Sequence, residues 1–331
     1  MASCDTAIES KEWFISAYRR RLIEPPATAA SRMDDLFSQS LTLPPNLEPG
    51  LRAALTHVLR HPGSMVRPRL VTQMATAYGV QAGPGDDLAI ALEYFHTSSL
   101  VFDDLPCMDN AMARRGAACV HVPFGEAAAI LAALALINRA YALTWKAFAG
   151  CSGTIQAEAM EYLEQRLGVN GLLDGQSLDL NYARQPHGRE TAERIACGKT
   201  VSLIRLTLVL PAMLGGATRG EVRLLERMAT CLGLAYQMVD DLKDLMQTSA
   251  ESGKTAARDL HLDRPNIALS IGVPAAVARV THLIRLGDRM LVRLLALRPG
   301  LSFLGTLRSD LEAELGRVIE KPCESTGTWE R

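Results

Sequence analysis

The stretch SSLVFDDLPCMDNAMARRG, residues 98–116, places three aspartates and two arginines at the end of an apolar run. Asp103, Asp104 and Asp109 lie among leucine, valine, phenylalanine and methionine, whereas a solvated acidic face normally has polar neighbours. Carboxylates this close repel one another, and the repulsion is stronger where water is excluded. The stretch therefore indicates a site that binds a positively charged ligand.

A second acidic cluster lies in GLAYQMVDDLKDLMQ, residues 233–247. Residues three and four apart share one face of a helix, so Asp240, Asp241 and Asp244 are predicted to converge. In the first cluster, four residues separate Asp104 from Asp109. We expect the proline among them to bend or loosen the helix end, which lets the last aspartate return towards the other two.

The two clusters offer only oxygen ligands. Carboxylate oxygens without histidine or cysteine suit Mg²⁺, which commonly bridges carboxylates to substrate phosphates. The alternative is that both clusters are ordinary solvated helix faces. Their apolar flanks and the nearby arginine and lysine residues favour a magnesium site.

The composition excludes several classes of protein. The 331 residues are 48% hydrophobic and 21% charged, which is enough material for one large domain or two ordinary ones. A formal net charge of −1 gives no electrostatic argument for nucleic acid as a partner. Seven scattered cysteines favour reduced thiols over disulfides or a zinc site, and the first residues contain no apolar signal core. These features predict a cytoplasmic protein.

The fold class follows from hydrophobic periodicity. Strand signals are almost absent, and apolar residues recur at helical spacing in windows rich in alanine, leucine, methionine, glutamate and arginine. Proline and glycine breakers divide these windows into roughly ten to thirteen helices. We predict a single all-α domain over residues 1–331, with frayed ends at about 1–8 and 321–331. The most hydrophobic stretch, 127–137, is too short to span a bilayer, so we expect a buried core helix and no membrane anchor.

Ordered motifs make the chain resemble the trans-type isoprenyl diphosphate synthases. DDLPCMD (103–109) followed by RRG (114–116) resembles the first aspartate motif of that family, in the longer form of the geranylgeranyl diphosphate synthase branch, and DDLKD (240–244) resembles the second. The other matching segments are RPRLV (67–71), HTSSLVFDD (96–104), FGEAAAIL (124–131), GQSLDL (175–180), GKT (198–200), YQMVDD (236–241) and GKTAARDL (253–260). The resemblance implies one large helical bundle of isoprenoid synthase type around a central cavity.

The resemblance also implies a Mg²⁺-dependent prenyltransferase with no organic cofactor. In this family an allylic diphosphate ionises, isopentenyl diphosphate adds its double bond to the allylic cation, and a proton is lost to the released pyrophosphate. Metal ions, as a three-ion cluster when diphosphate is bound, and basic residues stabilise the developing negative charge.

Each matching position takes a role from the resemblance. The implied metal ligands are Asp103, Asp104, Asp109, Asp240, Asp241 and Asp244. The implied ligands of the allylic diphosphate are Arg114, Lys199 and Lys254, and those of isopentenyl diphosphate are Arg67, His96 and Arg115. Thr200 and Gln237 would line the reaction centre, and Gln237 would also contact substrate. The residues assigned to catalysis itself are Asp103, Asp104, Lys199, Thr200, Gln237 and Asp240. Taken alone, His96 is typical of a core histidine and Lys254 of a loop lysine, but the ordered pattern favours the binding roles.

The chain departs from the family pattern at the isopentenyl diphosphate site. The family usually reads G-G-K-x-x-R-P, whereas this chain reads PGSMVRP (62–68), so Ser64 replaces a lysine. The loss of a charged hydrogen bond predicts binding weakened roughly ten- to a hundredfold. Another basic residue, such as Arg60, could compensate for it.

Further departures leave two other functions open. Ala111 and Met112 replace acidic residues, and Ala133 and Leu134 replace a Gly-Asp pair. One alternative is a terpene synthase-like enzyme that ionises a single prenyl diphosphate, although the 5% aromatic content weighs against a cyclase. The other is a non-catalytic regulatory subunit of a prenyl diphosphate synthase, although such subunits usually lose aspartates from one motif and both motifs are intact here.

The resemblance also bears on the length of the product and on the assembly of the protein. In this family, bulk a turn or so before the first aspartates sets chain length. Here Ser98 and Ser99 are small while Tyr94 and Phe95 lie a turn deeper, which favours a geranylgeranyl product and leaves farnesyl open. The alternative is that these side chains only pack the core. The resemblance implies a homodimer built from central helices, and the apolar stretch 124–147 is a candidate for either its interface or the core.

Overall fold

The computed structural model describes residues 27–251 and 265–320, with side chains described for 32–245 and 265–319. The predicted all-α class is confirmed, since the strands in these ranges are limited to one pair of two residues each. Lys254, the segment 253–260 and both termini predicted to fray lie outside the described residues.

Fourteen α-helices occur in the described ranges. Those of the first half are α1 (Ala27–Gln39), α2 (Pro49–Arg60), α3 (Val66–Ala77), α4 (Ala82–Asp103), α5 (His121–Phe124), α6 (Glu126–Phe148) and α7 (Gly153–Leu167). Those of the second half are α8 (Leu172–Leu180), α9 (Arg189–Ala196), α10 (Ser202–Leu214), α11 (Arg219–Glu251), α12 (Ile267–Ile271), α13 (Val273–Leu297) and α14 (Leu304–Glu320). Twelve of the described helices are longer than α5, which has 4 residues, and α12, which has 5, and this number agrees with the predicted ten to thirteen.

Shorter elements join some of these helices. A π-helical turn, Cys197–Val201, connects α9 to α10, and 3₁₀ turns cover Tyr182–Arg184 and Pro299–Phe303. Strand β1 (Ala113–Arg114) pairs antiparallel with β2 (Ala117–Ala118) between α4 and α5. This hairpin directly follows the first aspartate motif.

The chain forms two compact units. The first contains the described residues up to Tyr162 together with Leu206–Val222, and the second contains Leu163–Arg205 and the described residues from Arg223 onward. The single domain over residues 1–331 stays a prediction.

In the first unit, α4 packs against α3 and α6. Alanines on both α4 and α6 are fully buried, including Ala89 and Ala91 on α4 and Ala129 and Ala132 on α6. Packing against α3 and α6 positions α4, the helix that leads into the first motif.

Helix α6 buries only one of its faces, so the expectation of a core helix holds for that face alone. Its other face exposes five large apolar side chains, namely Ile130, Leu131, Leu134, Tyr141 and Trp145. By length and hydropathy, α6 and residues 189–214 could each cross a membrane, although 39% and 67% of the apolar 18-residue window in each is buried inside the protein. The absence of a membrane anchor stays a prediction.

The adjacent aromatic residues of α4 contact different helices. Tyr94 is fully buried, its hydroxyl donates to the Phe37 carbonyl, and its ring packs edge-on against the Phe37 ring of α1. The Phe95 ring instead packs edge-on against Tyr141 of α6, with 4.9 Å between centroids. Tyr94 is therefore a core residue between α1 and α4, and Phe95 faces the other way.

In the second unit, two glycines bring α8 and the π-helical turn into backbone contact. A Cβ added to Gly175 would lie 2.7 Å from the Gly198 Cα, and one added to Gly198 would lie 2.5 Å from the Gly175 Cα. Carbon atoms do not approach this closely, so neither position accepts a side chain without moving a helix. Lys199 follows Gly198, so the crossing also sets the position of that lysine.

We expect Gly175→Ala to lower the free energy of unfolding by about 1–3 kcal/mol, because the added methyl group overpacks a backbone contact. The matched control is Gly83→Ala on α4, where a Cβ meets nothing within 4 Å. This change should leave stability unaltered or raise it by up to about 1 kcal/mol, because alanine favours the helix. Denaturant midpoints of both variants measure the difference, and equal midpoints would contradict the helix crossing.

Candidate active site

The first aspartate motif turns back on itself after α4. The Asp109 amide donates to the Asp103 carbonyl at 2.8 Å, and the Ala111 amide donates to the Asp104 carbonyl at 3.2 Å. Asn110 adopts a positive φ of 49°, which allows the reversal. The backbone thus returns Asp109 to the helix end, as expected from the proline in this segment, and the Asp103 and Asp109 side chains are both half-buried.

Asp104 is paired with a predicted substrate ligand. Asp104 is 4% exposed, and both of its carboxylate oxygens accept from Arg114 Nε, at 2.7 and 2.9 Å. Arg114 Nη2 lies 2.6 Å from Asp104 Oδ1, which completes a charge-assisted fork. Burial, followed by the Asp104 charge, raises the pKa of the neighbouring Cys119 thiol to about 12. Asp104 therefore anchors the hairpin arginine to the end of α4.

Arg115, the next residue, turns the hairpin. It has a φ of 55° and Gly116 has a φ of 74°, the two positive values of a type I′ turn. Its guanidinium lies 3.3 Å from Glu93 Oε1 and 3.4 Å from Thr97 Oγ1, both on α4. The same guanidinium packs on Gly63, where an added Cβ would come within 2.5 Å of Arg115 Cζ.

Glu93 is a site residue that the sequence analysis missed. It is 2% exposed and interacts electrostatically with both Arg115 and Arg67. Burial raises the pKa of its carboxyl, and the charges of the two arginines oppose the rise. The available signal was a single acid in the apolar run AIALEYF (89–95), three residues before His96.

His96 is buried and neutral. Burial first, and then the charges of Arg67, Arg115 and Arg114, hold the pKa of this histidine well below its usual value. Within the described residues, His96 Nδ1 is buried and has no hydrogen-bond partner. A satisfied core histidine would not leave this atom unpaired, so the geometry favours a ligand-binding role.

The loop that carries Ser64 connects α2 to α3. Ser64 is half-buried beside Gly63, and Met65 enters α3 with a φ of 54° and a buried side chain. Arg60 is exposed at the end of α2. Arg115 packs against this loop through its contact with Gly63.

The second aspartate motif lies on α11. Asp240 and Asp241 are buried, and Asp244 is half-buried. Asp241 Oδ1 accepts from Gln237 Nε2 at 3.0 Å, and Oδ2 accepts from the Ile267 amide at 2.6 Å. Burial raises the pKa of Asp241 to about 7. Asp241 therefore ties α11 to the start of α12.

The π-helical turn places two predicted residues beside α8 and α11. Thr200 donates its hydroxyl hydrogen to Gln237 Oε1 at 2.9 Å, and Gln237 donates onward to Asp241. Lys199 forms an ion pair with Asp179 of α8. An extra residue in a π turn is frequent at functional sites, because it redirects side chains without ending the helix.

Lys243 links the second motif to the last helix. Its ammonium group pairs with Glu314 of α14, and Glu314 also lies 2.6 Å from Arg317 Nη1. Burial lowers the pKa of Lys243 to about 8, although Glu314 and Asp240 oppose that change. This pairing holds α14 against the helix that carries Asp240 and Asp244.

The two acidic motifs fit magnesium by the chemistry of their donors, which are carboxylate oxygens. Among the described residues, no three carboxylate, histidine or cysteine side chains lie close enough to hold a metal ion by themselves. That arrangement suits Mg²⁺, which is usually bound by one or two carboxylates together with water and substrate phosphates. The ligand roles of the six aspartates stay predictions.

Two of the residues predicted to set the length of the product, Ser98 and Ser99, are small and lie on α4. Ser98 is buried and its hydroxyl donates to the Phe95 carbonyl, and the Ser99 hydroxyl donates to the His96 carbonyl, each at 2.8 Å. Both hydroxyls are thus satisfied within α4. Phe95 is buried one turn earlier, under the exposed ring of Tyr141.

We expect the stability of the protein to fall as the pH drops below about 6.5, in part because of His96. The unfolded chain binds a proton at this histidine near pH 6.5, whereas the folded chain binds it only at much lower pH, so the linked stability is present above pH 6.5 and lost below it. One such histidine changes the free energy of unfolding by up to ~1.4 kcal/mol per pH unit.

Denaturant unfolding of the wild type and of His96→Gln between pH 7.5 and 5 measures this effect. The variant should show a smaller loss of stability on acidification than the wild type. The control is His282→Gln, which changes an exposed histidine and should retain the wild-type slope. Identical slopes in wild type and His96→Gln would contradict a buried neutral His96.

Comparisons with known proteins agree with this geometry. The family model described as polyprenyl synthetase matches residues 48–280. A chloroplastic geranylgeranyl pyrophosphate synthase from Capsicum annuum is 36% identical over 227 residues, which cover 68% of this chain and 62% of that protein. A putative geranylgeranyl pyrophosphate synthase 8, chloroplastic, from Arabidopsis thaliana is 38% identical, over 63% of this chain and 59% of that protein. The chain thus spans about three-fifths of the length of these curated relatives.

Solved structures share the fold. An FPP/GFPP synthase from Zymomonas mobilis has a TM-score of 0.69 and 24% identity, with 95% of this chain and 99% of that chain covered. A geranyltransferase from Helicobacter pylori, complexed with magnesium and isoprenyl diphosphate, has a TM-score of 0.69 and 26% identity, with 92% and 97% covered. The family model matches most of the length of this chain, and the chain therefore belongs to the polyprenyl synthetase family.

Proposed function

We propose that the protein is a Mg²⁺-dependent prenyltransferase that condenses an allylic prenyl diphosphate with isopentenyl diphosphate. The observation that carries this proposal is the charge arrangement at the end of α4, where the backbone returns Asp109 to Asp103 and the adjacent Asp104 holds Arg114. Carboxylates that suit a metal and arginines that suit diphosphate are both required by this reaction. The names of the relatives and the magnesium and isoprenyl diphosphate in the Helicobacter pylori neighbour support the same activity.

The predicted substrate ligands divide between the two diphosphates. Arg114 and Lys199 bind the diphosphate of the allylic substrate, and Arg67, His96 and Arg115 bind isopentenyl diphosphate. Magnesium held by the aspartates, as three ions in our proposal, would supply positive charge to stabilise the leaving pyrophosphate. Arg114 is held by Asp104 and Lys199 by Asp179, so both cations are oriented before substrate arrives.

The bond changes balance without an external reagent. The allylic carbon–oxygen bond breaks and its electron pair leaves with pyrophosphate. The double bond of isopentenyl diphosphate then forms the new carbon–carbon bond, and the resulting cation loses a proton to pyrophosphate. Thr200 donates its own hydrogen to Gln237, so the lone pairs of its oxygen are the part that can face a passing carbocation.

We propose a geranylgeranyl product, limited by Phe95 and Tyr141. Phe95 lies eight residues before Asp103, or roughly 12 Å along α4. Ser98 and Ser99 lie between them, are small and form hydrogen bonds within α4, which would leave room for an alkyl chain. In this proposal the edge-to-face pair of rings stops the growing chain at that depth.

Purified protein with Mg²⁺ and geranyl or farnesyl diphosphate should form longer prenyl diphosphates only when isopentenyl diphosphate is added. Chelation of the metal, or Asp103→Asn, should reduce product at least about a hundredfold, because the leaving charge is no longer stabilised. Phe95→Ala should give longer products than the wild type. Chromatography of the reaction products measures all three effects.

Other outcomes of this assay would contradict the proposal. Hydrocarbon or alcohol released from the allylic substrate alone would indicate a terpene synthase. The absence of turnover, with geranylgeranyl diphosphate tested as well, would indicate a non-catalytic subunit. A wild-type product set unchanged in Phe95→Ala would overturn the chain-length assignment without affecting the activity.

We also propose that two copies of the chain associate through the exposed apolar face of α6. Its residues Ile130, Leu131, Leu134, Tyr141 and Trp145 lie on one side of the helix, and the opposite side is already buried against α4. A contiguous apolar face of this kind marks an interaction surface. A second copy presents the same face, which gives a two-fold symmetric contact.

Light scattering coupled to gel filtration should give twice the chain mass for the wild type. Leu131→Glu should convert the dimer into a monomer, since it places a charge in the apolar contact. The control is Leu297→Glu, an equally drastic change at an exposed leucine of α13, which should remain dimeric. A monomeric wild type would contradict the proposed dimer.

A further inference from the structure

A buried acid lies under the arginines assigned to isopentenyl diphosphate. Glu93, His96 and Thr97 share one face of α4, at the spacing that places them side by side. The Glu93 side chain is 3% exposed and the Arg115 side chain 10%, with 3.3 Å between Oε1 and Nη2. A carboxylate withdrawn from water to this extent needs a cation nearby, and Arg115 supplies it.

The backbone of Arg115 shows that this contact is maintained against conformational preference. Arginine disfavours the left-handed region, yet Arg115 has a φ of 55° at the first position of the hairpin turn. Such conformations persist where the surroundings fix them, and they cluster at functional sites. Here Glu93, Thr97 and Gly63 all contact the guanidinium.

The two arginines near Glu93 indicate that this residue has an electrostatic role as well as a packing role. Arg67 and Arg115 both interact electrostatically with Glu93, and both depress the protonation of His96. Two guanidinium groups that act on the same buried side chains also repel each other, and an anion beside them reduces that repulsion. Glu93 provides that anion from the protein side, which leaves the surplus positive charge for a ligand.

We infer that Glu93 is a positioning residue for isopentenyl diphosphate, acting through Arg115. This inference rests on the proposed prenyltransferase activity and adds a residue to it. Because Ser64 replaces a lysine, Arg67 and Arg115 supply the remaining fixed charge of the site. The orientation of Arg115 therefore affects the binding of isopentenyl diphosphate more in this chain than in a chain that has the lysine. The same holds for Glu93, which contacts Arg115.

Two effects of removing the charge of Glu93 have opposite signs, so they can be separated. Glu93→Gln keeps the size and an acceptor oxygen but loses the anion. If Glu93 positions Arg115, the variant should bind isopentenyl diphosphate about tenfold more weakly, the fold-change expected for one misaligned charged hydrogen bond. If Glu93 merely opposes the charge of the ligand, the same variant should bind more tightly, and that result would overturn the inference.

Calorimetric titration with isopentenyl diphosphate measures the dissociation constant, and steady-state kinetics measure KM for both substrates. The KM for isopentenyl diphosphate should rise in Glu93→Gln while the KM for the allylic substrate stays within about twofold, and Glu93→Asp should recover part of the affinity. Equal changes in both KM values would indicate general loss of structure and refute the positioning role. Glu126→Gln, which changes an exposed acid of α6, is the control and should bind like the wild type.

A double-mutant cycle tests whether Glu93 acts through Arg115. Once Arg115→Gln has removed the guanidinium, adding Glu93→Gln should cause no further loss of affinity. Additive losses would assign Glu93 an independent role and overturn the inference. A wild type that binds isopentenyl diphosphate without turning it over would defeat the proposed activity, yet the binding comparison would still decide the role of Glu93. A wild type that does not bind it would defeat both.

Discussion

Compensation of buried charge is the constraint on which the end of α4 depends. Asp104 and Glu93 are both withdrawn from water, and each is matched by one of the two consecutive arginines of the hairpin. A buried charge without its partner is far more destabilising than the pair is stabilising. The helix end, the hairpin and the loop at Gly63 therefore form one coupled structure, and a change in any of them alters the others.

The two aspartate motifs share a division of roles. In each motif the second aspartate uses both carboxylate oxygens within the protein, Asp104 towards Arg114 and Asp241 towards Gln237 and the Ile267 amide. The contacts with Arg114 and with the Ile267 amide join each motif to a segment elsewhere in the chain. The second aspartates thereby hold an arginine and a glutamine in place, in addition to their predicted role as metal ligands.

Much of this arrangement could be predicted from the sequence, because helical periodicity and breakers are local signals. The all-α class and the return of Asp109 follow from such signals. Glu93 could not be identified in the same way, because its partner Arg115 is 22 residues distant and reaches it only through a reversed backbone. The half-exposed α6 was equally hidden, because both of its faces are apolar and periodicity distinguishes faces only by contrast.

The left-handed backbone of Arg115 has a consequence for recognition. A long arginine side chain normally loses much conformational freedom when it grips an anion, and that loss weakens binding. Here the turn and its three neighbours confine the guanidinium while the protein folds. The ordering penalty therefore falls on the stability of the fold, and the arriving diphosphate meets a preorganised cation.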